Sequence, residues 1–213
     1  MSLVMQAHPF LAQPHTIQNV RRDFVEWHRG RPHYFLWAID VDLPHVRERL
    51  RAAEKHLSGY LLESYLRQPH ITLSVCGFPA RETCMQDEFP ASLWTQQIRR
   101  ISESKIASFE ISIGGLSSFS SAPYLTVRDD TGSLARLRSC LHPDALQSDH
   151  DSYAPHVTVG LYRGVFNTRE LALHLDQFEH CEPIAFRVEK ISLMYYESAH
   201  IGGPLAIDRV ICI

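Results

Sequence analysis

Apolar positions along this chain recur with two spacings, two and roughly three and a half, and stretches of the two kinds follow one another from His33 onward. His33 to Val41 has the shorter period and reads as a strand, with Tyr34, Leu36 and Ala38 on one face and Phe35, Trp37 and Ile39 on the other. Pro44 opens a helix running to about Ser58, with Gly59 as its stop. His70 to Phe78 is a second strand, and Ala91 to Ser104 reads as a helix. Ser108 to Phe119 and Tyr124 to Arg128 are strands joined by Ser120 to Pro123. Thr131 can cap a helix to about Leu141, and His156 to Tyr162 is again a strand. Thr168 can cap a helix from Arg169 to about His180, and Ala185 to Tyr196 and Leu205 to Ile213 close the chain as strands. Upstream, Ile17, Val20, Phe24 and Trp27 have helical spacing, which predicts an amino-terminal helix over Ile17 to Arg29, ending at Gly30 and lying outside the core fold.

Strands outnumber helices and mostly follow one another in pairs, which favours an α+β protein with largely antiparallel sheets. Strand, helix, strand, helix occurs once in each half, so two lobes are expected, with residues 33–213 as a two-lobed domain and residues 1–32 as an extension carrying a helix. A chain of 213 residues, 45% hydrophobic and 21% charged, is long enough to bury a core and fold alone. A net charge of −3 argues against strong nonspecific nucleic-acid binding, which calls for a basic stripe. Cys76, Cys84, Cys140, Cys181 and Cys212 are odd in number and contain no Cys-x-x-Cys, which reads as reduced, mostly buried thiols. No basic start with an apolar core opens the chain and no 18-residue apolar run occurs, so no membrane association and a cytoplasmic location are expected. The 13 histidines show no His-x-x-x-His or His-x-His spacing among His8, His15, His28, His33, His45 and His56, and no metal or other cofactor is expected.

Two segments repeat each other. Gln68 to Leu73 reads Gln-Pro-His-Ile-Thr-Leu and Ala154 to Val159 reads Ala-Pro-His-Val-Thr-Val. With 12 Pro, 13 His and 8 Thr in 213 positions, chance alone would supply only about 0.03 copies of Pro-His-x-Thr. On a strand, His70 and Thr72 share one face while Ile71 and Leu73 share the other, and the same holds for His156 and Thr158 backed by Val157 and Val159. Each proline suits the first residue or edge of a strand, because it cannot donate a ladder hydrogen bond. Two imidazoles can divide acid and base work between them near neutral pH, and two threonine hydroxyls can donate to the non-bridging oxygens of a phosphate held between the rings. The 86 residues separating the two histidines mean that such a site is assembled between lobes.

The paired His-x-Thr-x signatures resemble the two-histidine phosphoesterase superfamily, which includes the 2′-5′ RNA ligase and cyclic nucleotide phosphodiesterase-like proteins, over roughly His33 to Ile213. The resemblance implies a bilobal, pseudo-two-fold α+β fold of two mainly antiparallel sheets with flanking helices and a central cleft. It implies His70 and His156 as the catalytic pair and Thr72 and Thr158 as phosphate-binding hydroxyls. The activity it implies is a metal-independent phosphodiesterase acting on 2′,3′-cyclic phosphates or 2′-5′ linkages in an RNA end or small nucleotide, with reversible ligation as an option. The alternative is a non-catalytic module that binds an RNA end or nucleotide phosphate in the same cleft. A metal-dependent hydrolase using scattered residues such as His150 and Asp151 is a third reading.

Further residues are candidates by position. Ser74 and Tyr162 continue the His/Thr face of their strands, and Tyr153 precedes the second motif closely enough to support His156 or stack on a base. Arg163 has the right chemistry to grip a phosphate, although strict alternation points it away from His156. Phe119, Tyr124, Tyr195 and Tyr196 could form a base-stacking platform. The polar stretch Pro143 to Tyr153 reads as an exposed loop that shapes access to the second motif.

Overall fold

A computed structural model describes residues 9–142, 153–178 and 182–213. Among them, nine strands form two sheets. The first has the order β3-β2-β1-β8-β9, built from Glu88–Pro90, His70–Ala80, His33–Asp40, Lys190–Glu197 and Ala206–Cys212. The second has the order β6-β5-β4-β7, built from His156–Thr158, Pro123–Arg128, Phe109–Ser118 and Ile184–Val188. All neighbours are antiparallel except β2 and β3. The helices are α1 (Val25–His28), α2 (Pro44–His56), α3 (Ala91–Ser104), α4 (Ser133–Leu141) and α5 (Thr168–Leu175). The fold is therefore α+β with two sheets and flanking helices, as expected.

One hydrophobic core serves both sheets. Trp37, Ile39, Ile71 and Leu73 of the first pack in the same cluster as Leu125, Val127, Val157 and Val159 of the second. Leu36 and Ala38, on the opposite face of β1, join Met194 and Leu205 in a smaller cluster, so the alternation in β1 splits two apolar environments. Gln97 of α3 sits in the larger core, accepting from the Trp37 indole at 2.8 Å and donating to the Leu141 carbonyl at 3.0 Å. Each half also reaches into the other. Arg49 of α2 donates to the carbonyls of Ile113 and Glu182, while Arg138 of α4 donates to the Leu73 carbonyl of β2.

Several expected boundaries move. The amino-terminal stretch is helical only at Val25–His28. Before it the chain is laid against the second half: Thr16 N–H donates to Phe166 at 2.9 Å, Ile17 to Ser120 at 2.7 Å and Asn19 to Tyr162 at 2.8 Å. Those tertiary bonds fix the segment along the second half of the chain, and with Ile17, Val20 and Val25 exposed there is no buried apolar face to favour a helix over them. Phe10 lies in the main core, so the extension is not separate from it. The second motif strand ends at Thr158, not Tyr162. The run Ala185 to Tyr196 is two strands in different sheets, divided at Glu189. Helix α5 is capped by Asn167, whose side chain accepts from the N–H groups of Arg169 and Glu170, and Thr168 lies inside it. The cysteines described are free but not mostly buried: Cys84 and Cys212 are exposed, Cys76 and Cys140 half-buried. The polar loop Pro143 to Ser152, with His150 and Asp151, and the helix end expected at His180 lie outside the described residues. No helix among the described residues is long and apolar enough to cross a membrane.

Candidate active site

The two motif strands lie against each other across the two sheets. Each begins in the same way. The proline carbonyl before each histidine accepts from the neighbouring strand or its end, Pro69 from Val41 N–H and Pro155 from Val127 N–H, both at 3.3 Å. The prolines thus use the acceptor they have and need no donor. The histidines are then fixed identically. His70 Nδ1 is 2.8 Å from the Gln68 carbonyl, and His156 Nδ1 is 2.8 Å from the Ala154 carbonyl. A carbonyl only accepts, so Nδ1 carries the hydrogen in both rings and Nε2 is the nitrogen with a free lone pair when the ring is neutral.

The electrostatics separate the two rings. His70 is 7% exposed, and burial, with the charges of Arg67 and His156 as smaller contributions, pushes its pKa down to about 4 against the opposing bond to Gln68. His156 is half-buried and also held below the ordinary imidazole value by burial, opposed by its bond to Ala154. Its ring meets Phe119 edge-on at 4.9 Å and Tyr124 at 5.3 Å.

The threonines accompany them. Thr72 sits opposite Ala38, and Thr158 opposite Tyr124, both half-buried. The Thr72 carbonyl accepts from the Tyr153 hydroxyl at 2.8 Å, and the Arg138 guanidinium lies 3.7 Å from the centre of the Tyr153 ring. Tyr153 is therefore a tie between the second motif and the first. Two other candidates are placed elsewhere. Ser74 is buried with its hydroxyl 2.5 Å from His142 Nε2, so it anchors α4 to β2 instead of lining the cleft. Tyr162 is fully buried in the core with its hydroxyl 2.6 Å from Ser118 Oγ, because the strand stops four residues earlier and the period of two stops with it. Arg163 is exposed on a cavity of about 350 Å³ that also includes Tyr65, Val159 and Gly160.

Tyr65, Arg67 and Gln68 were not among the sequence candidates. Tyr65 is half-buried; its phenol pKa is raised by burial and lowered in part by the Arg67 charge and the Thr158 hydroxyl that faces it. Arg67 lies over the Tyr196 ring at 4.1 Å. Gln68 supports His70 through its carbonyl and holds Leu205 through its side chain, donating to its carbonyl at 2.6 Å and accepting from its N–H at 2.9 Å. The loop from Gly59 to Pro69 has no periodicity, so only the neighbourhood of the first motif could have drawn attention to them. No group of three or more His, Cys, Asp or Glu side chains placed to share a metal ion occurs among the described residues.

Known proteins resemble this chain at the level of family and fold. A family model described as the 2′-5′ RNA ligase superfamily matches residues 42–200. Among solved structures, E. coli LigT complexed with 3′-AMP superposes with a TM-score of 0.56 at 16% identity, covering 86% of this chain and 99% of LigT. A crystal structure of a phosphoesterase gives 0.50 at 14% identity over 85% of this chain and 99% of that one. The protein TT0787 of Thermus thermophilus gives 0.51 at 13% identity over 84% and 97%. No curated protein matches the sequence.

Proposed function

Because the chain belongs to the 2′-5′ RNA ligase superfamily, we propose that it is a metal-independent phosphodiesterase acting on 2′,3′-cyclic phosphate or 2′-5′ linked nucleotide and RNA substrates, with His70 and His156 as its acid–base pair. The observation that carries this reading is the shared tautomer: two imidazoles on adjacent strands, each with Nδ1 committed to the carbonyl two residues back and Nε2 left for chemistry. His70, the more deeply buried and more strongly depressed of the two, suits the base. Its Nε2 takes a proton from water or a ribose hydroxyl as that oxygen bonds to phosphorus. The opposite phosphorus–oxygen bond breaks, and its oxygen receives the proton carried on His156 Nε2. A bound phosphate anion favours the protonated form of His156, so substrate itself loads the acid. Thr72 and Thr158 donate to the non-bridging oxygens and hold phosphorus between the rings.

The test is hydrolysis of adenosine 2′,3′-cyclic phosphate in excess EDTA. Replacing either histidine, as His70→Ala or His156→Ala, is expected to slow turnover by roughly 10²–10⁴-fold while the far-UV circular dichroism is unchanged. Full activity in both variants overturns the assignment. Saturable binding without product in the wild type favours the non-catalytic module, and activity lost to EDTA favours a metal-dependent hydrolase.

A further inference from the structure

A cavity of about 470 Å³ opens beside the first motif, where β8 ends and the loop to β9 begins. Its walls include Leu66, Tyr196 and Leu205, with His33 at the start of β1 and Arg21 from the amino-terminal segment. That volume suits a nucleoside. The walls are also fastened to the catalytic strand. Gln68, whose carbonyl holds the His70 ring, clamps Leu205 through both ends of its side-chain amide, and Leu66 N–H donates to Gly202 at 2.8 Å. Arg67, whose charge acts on His70, lies over Tyr196 and donates to the Gly203 carbonyl at 3.3 Å. Gly202 is required there: its φ is +67°, and a Cβ would stand 2.8 Å from Tyr65 Cδ2. An apolar, partly aromatic chamber thus has Arg21 on its lining and is tied through Arg67 and Gln68, which hold Tyr196, Gly203 and Leu205, to the segment that leads into the first motif.

The competing platform is Phe119 with Tyr124. Those rings pack on each other at 4.3 Å and both meet His156, and Tyr124 is only 4% exposed, so they are occupied with holding the imidazole. We propose, resting on the phosphodiesterase reading above, that the cavity at Leu66, Tyr196 and Leu205 receives the nucleoside whose phosphate lies between the two histidines. Apolar and aromatic walls bind the planar base, Arg67 sits where base and phosphate join, and Glu197 with His200, paired at 2.8 Å on the lining, offers polar partners to ribose or base edges. Arg21 is brought to this wall by the amino-terminal segment, outside residues 42–200 that the superfamily model matches.

The experiment uses the full chain and two probes, adenosine 3′-monophosphate and inorganic phosphate, titrated calorimetrically. Leu66 is 63% exposed, so Leu66→Trp fills the chamber without disturbing the core. This variant is expected to weaken nucleotide binding at least about fivefold, the scale of one lost stacking contact, and to leave phosphate binding unchanged. Arg21→Ala is expected to weaken the nucleotide in the same selective way. Photolabelling with 8-azidoadenosine 3′-monophosphate is expected to mark peptides containing residues 64–67 or 195–206. Label on residues 119–124, or nucleotide affinity unmoved in both variants while phosphate still binds, overturns the chamber and leaves the phosphate site standing. A wild-type protein that binds neither probe removes both.

Discussion

At the scale of the single residue, His70 carries a cost that is visible in stability as well as in rate. Its imidazole sits near 6.5 in the unfolded chain and at about 4 in the folded one. Between those values the unfolded state binds the extra proton, so the folded state is fully favoured above pH 6.5 and loses ground as pH falls toward 4. The full difference amounts to roughly 3 kcal/mol, and His156, depressed in the same direction, adds to it. Urea unfolding should therefore show wild type distinctly weaker at pH 4.5 than at pH 7, with His70→Asn losing markedly less over that range because only the contribution of His156 and the other titrating groups is left. An equal loss in the variant would mean that the proton goes elsewhere. The same depression sets the rate profile: kcat/KM should rise through the low pKa of His70 and fall through that of His156, giving a maximum on the acid side of 6.5. A maximum well above neutrality contradicts the assignment of base and acid.

At the scale of elements, two substitutions of similar size should differ sharply. Asn167→Ala removes the cap of α5 from an exposed site and should cost about 1 kcal/mol. Gly77→Ala places a Cβ 2.2 Å from the Asp87 carbonyl oxygen at φ +103°, where β2 turns to meet β3, and should cost at least about 3 kcal/mol. Chemical denaturation of the pair checks the ranking, which similar midpoints would refute. The elements themselves were legible where side-chain pattern decides them: α3 runs over Ala91–Ser104 as its spacing predicts, and His70 with Thr72 heads a strand backed by Ile71 and Leu73. They were illegible where a tertiary partner decides. In Ala185 to Tyr196 the alternation of Phe186 and Val188 changes phase at Glu189 and Lys190 before resuming at Ile191 and Leu193, but a slip of one residue does not by itself say that the chain leaves one sheet for the other. Ile17 to Asp23 has helical spacing and is instead held extended by Ser120, Ser121 and Tyr162. Tyr153 was visible as a neighbour of the second motif, but its bond to the carbonyl of Thr72 belongs to a contact 81 residues away.

At the scale of the whole molecule, the halves are distinguishable by sheet and inseparable by packing. Beyond the shared core, the carboxyl ends of α2 and α5 meet through His56 and His174, stacked at 4.3 Å with each Nε2 on the other's carbonyl at 2.7 and 2.9 Å. The three tryptophans, Trp27, Trp37 and Trp94, all belong to the first half, so their fluorescence reports on it while circular dichroism reports on everything. The two signals should trace one coincident unfolding transition, and Arg49→Met should shift both together by about 1–3 kcal/mol as the carbonyls of Ile113 and Glu182 lose a charged donor. Separate midpoints would show that the lobes fold independently.

The passage at Glu189 has a temporal side. β1, the middle strand of its sheet, is hydrogen-bonded on one flank by β2 and on the other by β8, which emerges from the ribosome some 150 residues later. A growing polypeptide thus carries the first histidine strand long before its sheet can be completed, with the flank of β1 open to any stray partner. Synthesis that halts before Lys190 should yield a product that chaperones hold or proteases clear, and competence should arrive all at once, with the last two strands.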